Sequence, residues 1–486
     1  MDHIRISEEL LDFAGRSPSA FHAVANIAGY LEARGFRYLP ETEKWDVAEG
    51  GSYYTTRNGS SIIALRIGQD ISDSSGNGGN GGSGFRICAS HSDSPTYKIK
   101  NVSELEGPGE YLRLNVEAYG GMIDSTWLDR PLSVAGRVLV REKAGTASRR
   151  DNGALCSRSA VTDSGAEQCG RGSAAGSVIR SRLLGIDRDI LLIPNVAIHM
   201  NRDINSGYKF NRQVDLCPLF SAGALKKGAF DRMIADELGV VPEDILGKDL
   251  FLVNRQKPVL WGAEKEFISA PRLDDLQCAF ASLKAFTESI CERSINVYCC
   301  FDNEEVGSNT KQGAMSTFLC DTLQRINSGL GRSEEDYRMA VARSFMVSCD
   351  NAHAVHPNHP EKTDAENRVF LNKGVVIKES ANQKYTTDAF SRAVFGEICR
   401  EAGVPVQYFA NRSDSAGGST LGNLSNMQVS MHAVDIGLPQ LAMHSSYETA
   451  GSMDTKYAVD ALAGFYSTDI EITDGGAAHV GCKVHV

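Results

Sequence analysis

A chain of 486 residues is long enough for a large core and for two domains, and its 42% hydrophobic content is ordinary for a soluble globular protein. A formal net charge of −11 argues against a nucleic-acid partner, which favours a basic face. No apolar run reaches membrane-spanning length, and the opening MDHIRISEELLDFAGRS lacks the basic and apolar regions of a signal peptide, so neither a membrane nor secretion is expected. The twelve cysteines form no CxxC pair, and several (Cys88, Cys299, Cys300, Cys349) lie inside apolar runs. They read as small buried hydrophobes in a reducing compartment, with cytoplasm the expected location.

In chain order, residues 6–36 read as two helices, the second started by Ser17-Pro18-Ser19 and carrying Phe21, Val24, Ile27, Tyr30 and Leu31 on one face. Short strands follow at Tyr53–Thr56, Ser61–Ile67 and Phe85–Ala89, interrupted by a low-complexity Gly/Ser loop over 71–84. From Asn101 the pattern becomes alternating, at Tyr111–Ala118, Trp127–Val134 and Arg137–Arg141, with Gly-rich turns that predict a β module. Residues 143–182, rich in Ser, Gly, Ala and Arg, read as a disordered insertion. Strand character returns at Ile190–Pro194 and Val196–His199, and an amphipathic helix is expected over 223–239.

Beyond Leu250 strands and helices alternate. Helices are predicted at Leu273–Ser289, Gly313–Ile326, Asp388–Gly403, Gly418–Asn426 and Ala458–Ile470, and strands at Ile295–Phe301, Phe345–Ser348, Val406–Ala410 and Met431–Asp435. This spacing implies an α/β fold, a mostly parallel sheet flanked by helices, with the β-rich module inserted into it. The expected division is 1–100 and 248–486 for the α/β domain and 101–247 for the insertion.

Three acidic or His clusters follow apolar strands directly: His91-Ser92-Asp93, Glu304-Glu305 and Asp350. Asp274-Asp275 stand at a predicted helix start, and His444 follows Leu441-Ala442-Met443. Parallel strands bring their C-terminal ends together, so residues far apart in sequence can converge there. Taken singly, each has a plainer explanation: helix capping for Asp274 and Asp275, an Asx-turn for Asp350, a solvated turn for Glu304 and Glu305. Together they form a nitrogen and oxygen donor set suited to zinc, or to cobalt or manganese. Two ions sharing one carboxylate can activate a water, and a spare carboxylate beside a ligand can serve as general base.

Five segments in this order, ASHSDSP at 89–95, RLDDL at 272–276, DNEEVGS at 302–308, DNAHAVHPN at 350–358 and MHS at 443–445, resemble those of the M18 metallopeptidases, which include aspartyl aminopeptidase and the vacuolar aminopeptidase I type. The resemblance covers nearly the whole chain outside the low-complexity inserts. It implies a zinc-exopeptidase fold with an inserted dimerisation domain, and a homo-oligomer, a dodecamer built from dimers. It also implies two zinc ions bridged by Asp274, with His91 and Asp350 completing the ligands of one and Glu305 and His444 those of the other. In the same resemblance Glu304 is the general base, Asp93 orients His91 and fixes its tautomer, and His199 stabilises the reacting carbonyl oxygen of a neighbouring subunit.

His353 and Lys378 match positions that shape the pocket for an acidic first side chain in acid-selective members. The implied activity is removal of single N-terminal residues, Asp or Glu, from peptides with a free N-terminus. Asp275, where Asn is frequent, and Ser446-Tyr447-Glu448 depart from the animal-type pattern, so a preference for neutral N-terminal residues stays open. So does another dinuclear amidohydrolase activity. A non-catalytic shell protein is disfavoured because no ligand or base is missing from the five segments.

Overall fold

The computed structural model describes residues 2–71, 84–143, 177–290, 292–415, 417–473 and 477–481. It divides into two compact units, Met1–Ser94 with Lys257–Val486, and Pro95–Gln256.

The first unit is built on a nine-stranded sheet. Its spatial order is Arg37–Tyr38, Ser52–Arg57, Ser61–Ile67, Ile295–Phe301, Phe85–His91, Phe345–Cys349, His432–Gly437, Val375–Glu379 and Val406–Ala410. The four strands from Ile295–Phe301 to His432–Gly437 run parallel. Antiparallel pairing appears where Ser61–Ile67 and Val375–Glu379 join them. Every residue of Ile295–Phe301 is buried, because helices cover both faces.

Strand alternation assigns side chains to two layers. Tyr298 and Cys300 pack with Cys88, Val347 and Ile436 beneath the helices Asp2–Gly15, Ala20–Glu32, Leu273–Glu288, Ala389–Glu401 and Asp454–Ser467. Ile295, Val297, Cys299 and Phe301 pack with Ile87, Ala89 and Met346 on the opposite face, against Phe318–Gly329 and Glu334–Ala342. Each such buried aliphatic or aromatic side chain stabilises the fold by about 1.5–3 kcal/mol. A five-stranded sheet in the same unit, ordered Val259–Trp261, Phe267–Ala270, Glu448–Gly451, Pro439–Leu441 and Ala352–His353, places further residues beside the strand ends.

The second unit is a six-stranded antiparallel sheet in the order Ser177–Gly185, Leu132–Lys143, Ile245–Asn254, Thr96–Glu106, Tyr111–Tyr119 and Leu219–Ala222. The helix Ala229–Leu238 covers it through Phe230 and Ile234.

Several expectations are corrected. Residues 177–182, assigned from sequence to a disordered insertion, form part of the edge strand Ser177–Gly185. An edge strand buries little, so its serines and arginines are tolerated there. Residues 144–176, and most of the 71–84 loop, lie outside the described residues. The two strands expected between Trp127 and Arg141 are one, Leu132–Lys143, preceded by the 3-10 turn Asp124–Trp127. Val196–His199 is an exposed turn without strand pairing. Three helices begin later than their apolar pattern suggested, at Ala229, Phe318 and Leu421.

Candidate metal centre

Register explains the convergence. The strands Phe85–His91 and Ile295–Phe301 pair in parallel with Phe301 opposite His91, so both chains leave the sheet at one level. The Ser92 N–H donates to the Phe301 carbonyl at 2.7 Å. Phe345–Cys349 pairs on the other side of the His91 strand, with Ser348 opposite Ala89, and Asp350 follows. Gly437 makes room for Asp350: a Cβ at that position would lie 2.2 Å from the Asp350 carbonyl oxygen.

Asp274 and Asp275 are not capping residues. They lie inside Leu273–Glu288 with non-helical angles, φ −82° and ψ 107° at Asp274, and are joined by a cis peptide. His444 stands in the loop between Pro439–Leu441 and Glu448–Gly451, with φ 67°. Asn303, at φ 65°, lets the chain turn sharply from its strand into the 3-10 turn Glu304–Val306. Such left-handed conformations in non-glycine residues are sparsely populated and gather at functional sites.

The side chains form two sets around one carboxylate. Asp274 Oδ1 lies 3.5 Å from His91 Nε2, which is 3.9 Å from Asp350 Oδ1. Asp274 Oδ2 lies 3.4 Å from His444 Nε2, which is 3.3 Å from Glu305 Oε2. Ligand atoms gather within 4.8 Å of one another in His91, Asp274, Asp275 and Asp350, in His91, Glu304 and Glu305, and in Asp274, Glu305 and His444. The candidate ligands identified in the sequence therefore converge, and Glu304 stands among them.

Asp93 works through its neighbours. Its carboxylate accepts the Glu304 N–H at 3.1 Å and the Glu305 N–H at 3.2 Å, and lies 3.4 Å from His91 Nδ1. The Asp93 carbonyl oxygen is 3.1 Å from the same ring nitrogen. Lys378 is buried and donates to the Asp350 carbonyl at 2.7 Å and the Asn351 carbonyl at 3.4 Å. His353 stands on the two-residue strand Ala352–His353; solvent reaches part of it, yet burial lowers its proton affinity and it feels the charges of Asp274, Lys378 and His444. His199 belongs to the other unit, in the exposed turn described above.

Three contributors were missed by sequence reasoning. The Asp275 carboxylate accepts the His91 N–H at 3.0 Å. Arg272 donates to the Ser92 and Ser17 carbonyls. Glu448 accepts the N–H groups of both Asp274 and His444. Only an Asp beside the proposed ligand Asp274 was a local sign of any of them, and it reads as a helix cap.

This concentration of carboxylates perturbs Asp274, Asp275, Glu304, Glu305 and Asp350. Burial pushes Glu304 up to about 8, helped by the charges of Asp350, Asp93 and Asp274. Burial likewise raises Asp350 to about 6 against the pull of Lys378. It raises Asp275 and Glu305 well above the ordinary range. For Asp274 burial is outweighed by the His444 and His91 imidazoles that face its two oxygens, which hold it low. His91 is the reverse case: burial favours the neutral ring, but the surrounding carboxylates raise its proton affinity. Crowded buried carboxylates repel unless a proton or a cation lies among them.

The donor set fits zinc. Asp274 Oδ1 and Glu305 Oε1 are buried and have no hydrogen-bond donor among the described residues, and both residues belong to groups of His and carboxylate side chains that could hold a metal ion. Two His and several carboxylates without a thiolate match zinc sites of the catalytic type. The family description "Aminopeptidase I zinc metalloprotease (M18)" matches residues 13–153 and 172–466.

The chain belongs to the M18 aminopeptidase family.

A Clostridium acetobutylicum relative, "Probable M18 family aminopeptidase 2", is 43% identical to this M18 chain over 471 residues, 96% of this chain and 99% of the relative. A Pseudomonas aeruginosa relative of the same description is 37% identical over 468 residues, 95% of this chain and 98% of the relative. Among solved structures, a chain of the Ape4 and Nbr1 complex superposes with TM-score 0.84 at 35% identity, covering 96% of this chain and 86% of that one. The S. cerevisiae mApe1 dodecamer superposes with TM-score 0.77 at 26% identity, covering 96% and 97%. The protein is thus a metalloaminopeptidase of a zinc-dependent family, on the α/β fold with an additional domain expected from its sequence.

Proposed function

We propose that the protein is a dinuclear zinc aminopeptidase that removes single N-terminal residues, with Asp or Glu preferred, from peptides. The observation that carries this reading is Asp274, whose two oxygens face different histidines, Oδ1 towards His91 at 3.5 Å and Oδ2 towards His444 at 3.4 Å. One ion would be held by His91, Asp274 and Asp350, the other by Asp274, Glu305 and His444. When bound, such ions polarise a carbonyl and acidify a water.

The chain's own residues divide the remaining work. Glu304, beside the ligands but with a strongly raised proton affinity, takes the proton of the attacking water and delivers it to the leaving amine. Asp93 holds the backbone of Glu304 and Glu305 and the ring of His91. His199 is assigned to the carbonyl oxygen at a neighbouring subunit's site, in a homo-oligomer of the kind formed by the mApe1 dodecamer. The Pro95–Gln256 unit would then be the dimerisation domain. The eight free cysteines among the described residues, seven of them buried, support a reducing, cytoplasmic location.

The acidic preference rests on His353 as a polar ring at the site and on the Lys378 ammonium, 3.9 Å from Asp350 Oδ2. A second reading, preference for neutral residues, is favoured by one contact: the Lys378 ammonium already donates to two backbone carbonyls.

A panel of aminoacyl amides and short peptides, free and N-acylated, assayed with and without a chelator, tests the function. Free Asp and Glu substrates should be cleaved fastest, N-acylated ones not at all, and chelation should abolish turnover. Cleavage of N-acylated peptides would refute the aminopeptidase reading, and faster cleavage of Leu or Ala substrates would refute the acidic preference.

A further inference from the structure

One buried carboxylate near the site is neither a proposed ligand nor the base. Glu448 is 1% exposed and begins the strand Glu448–Gly451. That strand pairs on one side with Phe267–Ala270, Glu448 opposite Ala270, and on the other with Pro439–Leu441, Thr449 opposite Leu441. Glu448 therefore lies between the chain that leads from Ala270 to Asp274 and the chain that leads from Leu441 to His444. Its Oε2 accepts the Asp274 N–H at 2.9 Å and its Oε1 accepts the His444 N–H at 2.7 Å. Both oxygens are thus occupied by backbone donors, and Glu448 joins none of the groups whose ligand atoms converge.

We infer that Glu448 is a positioning residue that sets the zinc affinity of the half-site formed by Asp274, Glu305 and His444. The inference rests on the two-ion reading above and names what stabilises one of its halves. The two halves stand on different backbone, one on strand ends and the other on a loop. His91 ends a central strand paired on both sides and is 1% exposed, and Asp350 is held through its N–H by the Ile436 carbonyl at 3.1 Å and through its carbonyl by Lys378.

His444 lies instead in the loop between two strands. Its side chain is 33% exposed, and both it and Ala442 take left-handed angles, φ 67° and 56°. A backbone in that region persists only where its surroundings over-determine it. Glu448 closes the loop by binding the His444 N–H and refers it to Asp274, the ligand it must face. Asp274 keeps a separate anchor, because Ser94 donates to its carbonyl at 2.6 Å. Loss of Glu448 should therefore leave the His91–Asp350 half in place and loosen the His444 half.

Equilibrium dialysis of the full-length protein against graded zinc chloride tests this, with metal content read per chain for wild type, Glu448→Ala and Glu448→Gln. Wild type should hold two ions. Both variants should keep one ion at wild-type affinity and bind the second about 10- to 100-fold more weakly, the usual effect of losing a group that orients a ligand. Their turnover should recover as zinc is raised to fill the second position, which a general structural defect would not allow. Glu448→Gln keeps the side-chain shape and one acceptor, so it carries the comparison if the Ala variant does not fold. Two ions at unchanged affinity in either folded variant, or equal weakening of both ions, would overturn the inference while leaving the two-ion reading intact. A single ion in the wild type would instead refute the two-ion reading, and the inference with it.

Discussion

Glu304 and Glu305 are adjacent in the chain, yet their surroundings separate them. Glu305 Oε2 lies 3.3 Å from His444 Nε2 and its other oxygen is buried without a donor among the described residues, the situation of a ligand. Glu304 is pushed up to about 8 by burial and by neighbouring anions, so it holds a proton tightly once it has taken one up, as a group that receives the water's proton must. Glu304→Gln should therefore leave zinc content unchanged while lowering kcat about 100- to 10,000-fold, the usual contribution of a positioned acid–base group. Metal analysis and steady-state kinetics on the same preparation check it, and normal turnover would remove Glu304 from that role. Asp93 shows how a residue can matter without touching substrate, since it takes the backbone N–H groups of both glutamates.

At the scale of the element, strand ends and loops divide the task. Strands deliver His91, Glu304, Glu305 and Asp350 by parallel register, whereas Asp274 and His444 depend on irregular backbone held by side-chain hydrogen bonds. The helix Ala20–Glu32 gives a testable case away from the ligands. Its N-cap Ser19 accepts the His22 N–H, and the Ser19 hydroxyl lies 2.8 Å from His22 Nδ1.

Burial, with the charge of Arg272 nearby, lowers His22 to about 4 from 6.5. A ring whose folded-state value is depressed stabilises the fold fully above the unfolded value. That contribution is lost as pH falls from 6.5 towards 4, because the unfolded chain takes up the proton first. Between pH 7 and pH 4.5 the stability of wild type should therefore fall by roughly 2 kcal/mol more than that of His22→Gln, at about 1.4 kcal/mol per pH unit. Urea titrations at the two pH values measure the difference, and parallel pH dependences would contradict the assignment.

For the whole molecule, every candidate ligand cluster among the described residues belongs to the Met1–Ser94 and Lys257–Val486 unit. A ligand that binds only the native site stabilises it by about 2.7 kcal/mol at a hundredfold excess over its Kd. Zinc added to chelator-treated protein should therefore slow amide exchange around residues 91–94, 272–276, 302–306, 350–351 and 442–448. Exchange in the Leu132–Lys143 and Ser177–Gly185 strands should not change. Hydrogen-exchange mass spectrometry reads both, and equal protection throughout the chain would argue against a site confined to one unit. No helix among the described residues is long and apolar enough to cross a membrane.

Much of this architecture is a local property of the chain. Ile295–Phe301 and Phe345–Cys349 are legible because strands covered on both faces are continuous apolar runs, and the acids that follow mark their ends. Those runs, with the His and Asp motifs in their order, were enough to identify the fold and the family. Ser177–Gly185 escaped because edge position relaxes the demand for apolar residues, and Val196–His199 misled because three apolar residues in a row can also lie in an exposed turn. Tertiary structure alone decided which oxygen of Asp274 faces which histidine, that Asp274 and Asp275 leave helical geometry, and that Glu448 joins them to His444. Hydrogen bonds to backbone N–H groups have no partner side chain to recognise in a sequence. A carboxylate that holds two distant loops therefore looks like any other glutamate until the chain is folded.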